Sequence, residues 1–87
     1  MSVAPTPLTL YSRPGCHLCD RMKTVIERVA RRRPLALEVI DISTDPALER
    51  RYAHDIPVLL VDGVEVARHR IDERALLARL APALTWP

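Results

Sequence analysis

Phenylalanine is missing from this chain, and aromatic residues together make up only 3% of its 87 positions. A surface that stacks nucleic-acid bases needs such side chains interleaved with basic ones. The net charge of +2 is likewise too small to argue for a polyanionic partner. The run Arg31-Arg32-Arg33 therefore reads as a solvated helix end, with no nucleic-acid role expected. No apolar stretch approaches the ~20 residues of a membrane span, so no membrane role is expected either. Positions 1–7 show neither the basic start nor the apolar core of a signal peptide, which makes the cytoplasm the expected address. Internal repeats and linkers are absent as well. Cysteine is scarce, with two copies. Without a visible export signal, that pair points to redox chemistry more than to a staple.

What is present describes an ordinary globular chain, with 48% hydrophobic and 28% charged residues. Its length suits one domain, expected over residues 8–81 with short tails at 1–7 and 82–87. A chain of this size buries roughly 60–65% of its unfolded surface, enough for one modest core. Leu8 to Tyr11 is a first strand with a turn signal directly after it. Leu18, Met22, Val25, Ile26 and Val29 recur at helical spacing, and Pro34 ends that helix. Leu35 to Ile42 is a second strand, completing a βαβ unit with a right-handed crossover.

Asp45-Pro46 opens a short helix to about Tyr52, with an N-cap followed by proline at the first helical position. Val58-Leu59-Leu60-Val61 is apolar without alternation, as a strand covered on both faces would be. Asp62-Gly63 is a two-residue hairpin signal, returning through Val64 to Ala67. Asp72 caps a last helix, in which Ile71 and Leu76 form a hydrophobic staple, with Leu77 and Leu80 on the buried side. Ala81-Pro82 stops it, and Trp86 falls in the tail. The elements add up to an α/β domain of order β-α-β-α-β-β-α, a four-stranded mixed sheet flanked by three helices.

The chemistry concentrates in Arg13-Pro14-Gly15-Cys16-His17-Leu18-Cys19. Two cysteines three apart on the first turn of a helix share a face and lie within disulfide reach. A helix N-terminus offers unpaired N–H groups and about half a positive charge, which stabilises a thiolate there. Cys16 reads as the attacking thiolate and Cys19 as the thiol that resolves the mixed disulfide. His17, most when protonated, and Arg13 are candidates to favour the thiolate. His54 and His69 read as surface histidines. A structural disulfide closing so short a loop contributes only about 2 kcal/mol. The three histidines lack zinc-ligand spacing, so no metal site within one chain is expected. Two chains giving two thiols each would supply four ligands, which keeps a metal or iron–sulfur carrier as the alternative.

A strand, a Cys-x-x-Cys at a helix start and a proline opening the third strand resemble the thioredoxin fold in its small glutaredoxin-like form. Leu10-Tyr11-Ser12-Arg13-Pro14-Gly15-Cys16-His17-Leu18-Cys19 is similar to the pattern of small bacterial glutaredoxin-like proteins. The resemblance implies a thiol–disulfide oxidoreductase of cell redox homeostasis with a redox-active disulfide, Cys16 as nucleophile and Cys19 resolving. It implies a cis Pro57 facing the cysteines, and pairing of an extended substrate with the backbone of Ile56. Where glutaredoxins carry Gly-Gly-x-Asp, this chain has Ala67-Arg68-His69-Arg70-Ile71-Asp72. Asp72 stands for the acid in substrate binding, and both glycines are gone. The expected partners are protein or small-molecule disulfides, with glutathione as a co-substrate, no bound cofactor and a monomeric protein.

Overall fold

A computed structural model describes residues 4–80. Its elements are β1 (Thr6–Ser12), α1 (His17–Ala30), β2 (Leu35–Asp41), α2 (Pro46–Tyr52), β3 (Val58–Val61), β4 (Val64–Arg68) and α3 (Glu73–Leu80). The strands lie side by side as β2-β1-β3-β4. β1 runs parallel to β2 and antiparallel to β3, which is antiparallel to β4. This is the mixed sheet with three helices that the sequence predicts.

The strand period of two sorts β1 into two layers. Leu8 and Leu10 join Leu59 and Val61 on one face, against Met22, Ile26 and Val29 of α1 and Leu76 and Leu80 of α3. Tyr11 turns to the other side, where Val58, Ile42, Ile56 and Tyr52 of α2 form a second cluster that also holds Cys19. Tyr11 and Tyr52 stack there with ring centroids 4.6 Å apart.

The helix starts follow their caps. An Asp45 carboxylate oxygen accepts the N–H groups of Ala47 and Leu48 at 2.9 and 3.4 Å, with Pro46 in the first turn. Asp72 accepts the Ala75 N–H at 2.8 Å, and Ile71 packs on the same cluster as Leu76, as a staple should. Asp41 receives both the hydroxyl and the N–H of Ser43. These two bonds hold its carboxyl below the usual range, aided by Arg13 and opposed by partial burial.

The boundaries differ from expectation in three places. β1 begins at Thr6, so Thr6 and Pro7 belong to the sheet and not to the expected tail. The Thr6 N–H bonds to the Pro34 carbonyl at 3.0 Å and Thr6 pairs with Leu35. β2 stops at Asp41, because Ile42 enters a 3-10 turn that buries it completely in the second cluster. β2 is also a sheet edge, with Leu37 and Val39 left 37% and 45% exposed despite the strand's apolar composition. β4 runs on to Arg68, and a bulge between Leu59 and Leu60 breaks its alternation. Ala81-Pro82, Trp86 and the tail at 82–87 lie outside the described residues, as do residues 1–3. Among the described residues, no helix is long and apolar enough to cross a membrane.

Candidate active site

The turn from β1 to α1 brings the first sulfur to the surface. Gly15 has a φ of 81°, the left-handed region that a side chain disfavours. Cys16 follows in extended conformation as the N-cap of α1. Its Sγ accepts the Cys19 N–H at 3.1 Å, the part usually taken by a serine or aspartate oxygen. Cys16 is half-buried, whereas Cys19, one turn in, is only 1% exposed. The two are joined as a disulfide with their Cα atoms 5.2 Å apart. The pair is thus unequal, Cys16 being the more accessible residue and Cys19 part of the core.

The other sequence-predicted residues divide. The Ile56-Pro57 peptide bond is cis, and Ile56 packs in the same cluster as both cysteines. Pro57 is buried, and its carbonyl accepts the His69 N–H at 2.8 Å. His17 is exposed at the first position of α1. Arg13 turns toward α2, where it donates to the Ala53 carbonyl at 3.3 Å and lies 3.5 Å from Glu49. Its guanidinium thereby ties the cysteine loop to the segment leading into Pro57. Asp72 stands across a groove from Leu18, its carboxylate engaged in capping α3. Among the described residues, no three His, Cys, Asp or Glu side chains gather as metal ligands would.

A charged cluster beside Pro57 escapes sequence reasoning. Arg68 lies 2.9 Å from Asp55 and also forks onto Glu65. Arg68 lowers the Glu65 carboxyl, chiefly through their hydrogen bond, and its own guanidinium is held more firmly charged in return. Only the β3–β4 register, which sets Arg68 opposite Val58, brings it to Asp55. No local spacing signals that pair.

His69 carries a φ of 69°. The left-handed region costs a residue with a Cβ about 1–2 kcal/mol. Glycine would relieve that cost but loses about 0.5–1 kcal/mol through the freedom of its unfolded chain. His69→Gly is therefore expected to raise the melting temperature by a few degrees, about 2–8 °C, in a thermal scan. A lower melting temperature would mean that the imidazole makes contacts outweighing the strain.

A family model described as glutaredoxin-like domain (DUF836) matches residues 7–81. The chain belongs to this glutaredoxin-like family. It is 31% identical over 75 residues to the glutaredoxin-like protein YDR286C homolog of Dictyostelium discoideum, covering 79% of this chain and 69% of that protein. Protein Ne2328 of Nitrosomonas europaea is similar in structure, with a TM-score of 0.78 and 31% identity over 91% of this chain and 95% of that one. The structural-genomics target XcR50 from X. campestris gives a TM-score of 0.73 at 35% identity, covering 84% and 93%. A malaria-parasite thioredoxin-2 is similar in fold, with a TM-score of 0.63 at 18% identity, covering 87% of this chain and 81% of that one. In this glutaredoxin-like domain the left-handed position before α3 is held by His69 and not by a glycine.

Proposed function

We propose that this glutaredoxin-like domain is a thiol–disulfide oxidoreductase working through both of its cysteines. The observation that carries the reading is the asymmetry of the pair, an outward Cys16 whose sulfur receives a helix-terminal N–H beside a buried Cys19. In the reduced protein the Cys16 thiolate attacks one sulfur of a substrate disulfide and the other leaves as a thiolate. The Cys19 thiolate then attacks the Cys16 sulfur, forming the internal disulfide and releasing the second substrate thiolate. Two equivalents of an external thiol, glutathione being the expected one, reduce the pair and leave as a disulfide.

Activation is not a simple gain. A free thiol at pKa ~8.5 is about 3% thiolate at pH 7, so a drop of about three units gives roughly thirtyfold more thiolate. A Brønsted slope of 0.4–0.5 takes back about 16- to 30-fold over the same range. What survives is a better leaving group at Cys16 and a stabilised reduced form, hence a more oxidising disulfide. The N–H bond to Sγ and the start of α1 act in that direction.

Iodoacetamide alkylation of the reduced protein against pH tests the reading. Cys16 is expected to titrate well below the ~8.5 of a free thiol, with Cys19 unreactive until higher pH. A single titration near that free value at Cys16 would overturn the assignment. Isolation without oxygen separates the carrier alternative, for a colourless dithiol supports exchange chemistry and iron with visible absorbance supports a cluster.

A further inference from the structure

A groove of 410 Å³ runs between α1 and the start of α3. Leu18, from between the two cysteines in sequence, lines it, as does His69, whose N–H is bonded to Pro57. The floor is apolar, formed by Leu18, Met22, Val25 and Ile71. Its walls carry Arg21 and Arg28 from α1 and Arg70 from the loop before α3. Beyond it, Arg32 and Arg74 flank a second depression on the same seam.

Arg21 and Arg28 fall seven apart on one face of α1, and Arg32 follows in the turn just past its end. All five arginines are exposed, and among the described residues none lies within 4.0 Å of a carboxylate. Two acids share the rim at the start of α3. Asp72 is engaged with the Ala75 N–H, and Glu73 is half-buried. The groove thus offers a row of uncommitted positive charge leading away from the reactive sulfur.

We infer that this groove docks an acidic, extended segment of a protein substrate next to the cysteine that Cys16 attacks. The inference rests on the thiol–disulfide reading above and names its substrate class. From Leu18 to its end at Ala30 the helix rises about 18 Å, the length of roughly five extended residues, with Arg32 in the turn just beyond. An extended tripeptide reaches about 10 Å and leaves Arg28 and Arg32 unused. Nucleic acid fits less well, because no aromatic side chain lines the groove and the stacked Tyr11 and Tyr52 belong to the cluster on the opposite sheet face. Residues 81–87 contain no aspartate or glutamate, so this chain's own tail does not complement the row.

The test uses the full reduced chain and peptides whose single cysteine is a mixed disulfide with thionitrobenzoate. One peptide carries a run of glutamates before the cysteine, one carries it after, and a third carries glutamines. One acidic peptide is expected to react about tenfold faster than the glutamine peptide in low salt, the advantage falling to about twofold or less near 1 M salt. In the Arg28→Glu/Arg32→Glu variant that advantage should vanish, measured as the ratio to the rate with bis(2-hydroxyethyl) disulfide. Equal rates for all three peptides, with the small disulfide still consumed, would overturn the docking site and leave the thiol–disulfide reading standing. Failure to consume even the small disulfide would overturn both. A thymidine oligonucleotide that competes as strongly as a cysteine-free acidic peptide would also overturn it, marking the groove as a general polyanion surface.

Discussion

Cys16→Ser is expected to lose disulfide turnover by at least ~10³-fold, because a neutral hydroxyl replaces the thiolate that must attack. Cys19→Ser should behave differently. Its Cys16 still attacks, so the first step proceeds and the protein accumulates as a mixed disulfide with its substrate. Mass spectrometry of the variant after exposure to a peptide disulfide distinguishes the two outcomes. An adduct of one peptide mass per chain is expected with Cys19→Ser and none with Cys16→Ser. Sustained glutathione-dependent turnover by Cys19→Ser would instead show that one cysteine suffices. The expectation follows from burial. With Cys19 only 1% exposed, a bulky external disulfide reaches Cys16 first.

Leu10→Ala should give the largest loss of stability. Leu10 is fully buried in the middle of the sheet, paired with Val39 on one side and Leu59 on the other. Truncating such a leucine removes about 2–5 kcal/mol through lost burial and the cavity left behind. A domain of 87 residues has roughly 4–13 kcal/mol in total by the usual per-residue range, so much of the margin goes. The melting temperature is expected to fall by about 10–30 °C. Val39→Ala, on the exposed side of the same pair, should change stability by less than about 1 kcal/mol. Urea unfolding of both variants checks the contrast, with the slope unchanged and only the midpoint moving. Similar losses at both positions would mean that the edge strand is buried in solution.

Much of the framework was legible because it depends on short-range physics. The spacing of Met22, Ile26 and Val29 marked the buried face of α1, and Asp45-Pro46 and Asp72 marked helix starts through capping geometry alone. The even apolar run Val58–Val61 showed a strand covered on both faces, and its buried residues divide between the two clusters. The cysteine loop was readable for the same reason, since three residues fix the geometry of a helical turn. What stayed hidden depends on how strands line up. Leu35 to Ile42 read as a second strand, but its place at the edge comes from strand order, which nothing in its own residues encodes. Arg13 looked like a partner for the thiolate, but its guanidinium reaches α2 instead. The pairing of Asp55 with Arg68 waited on the hairpin register.

β1 is the first strand of this domain to leave the ribosome, yet it occupies an inside place in the sheet, with β2 on one flank and β3 on the other. Its antiparallel partner, beginning at Val58, emerges about 50 residues later, a wait of roughly 3–10 s at ordinary elongation rates. During that interval one side of β1 presents bare peptide groups to whatever else is in the exit vestibule. Chains slowed before Val58 therefore hold an unfinished sheet for longer.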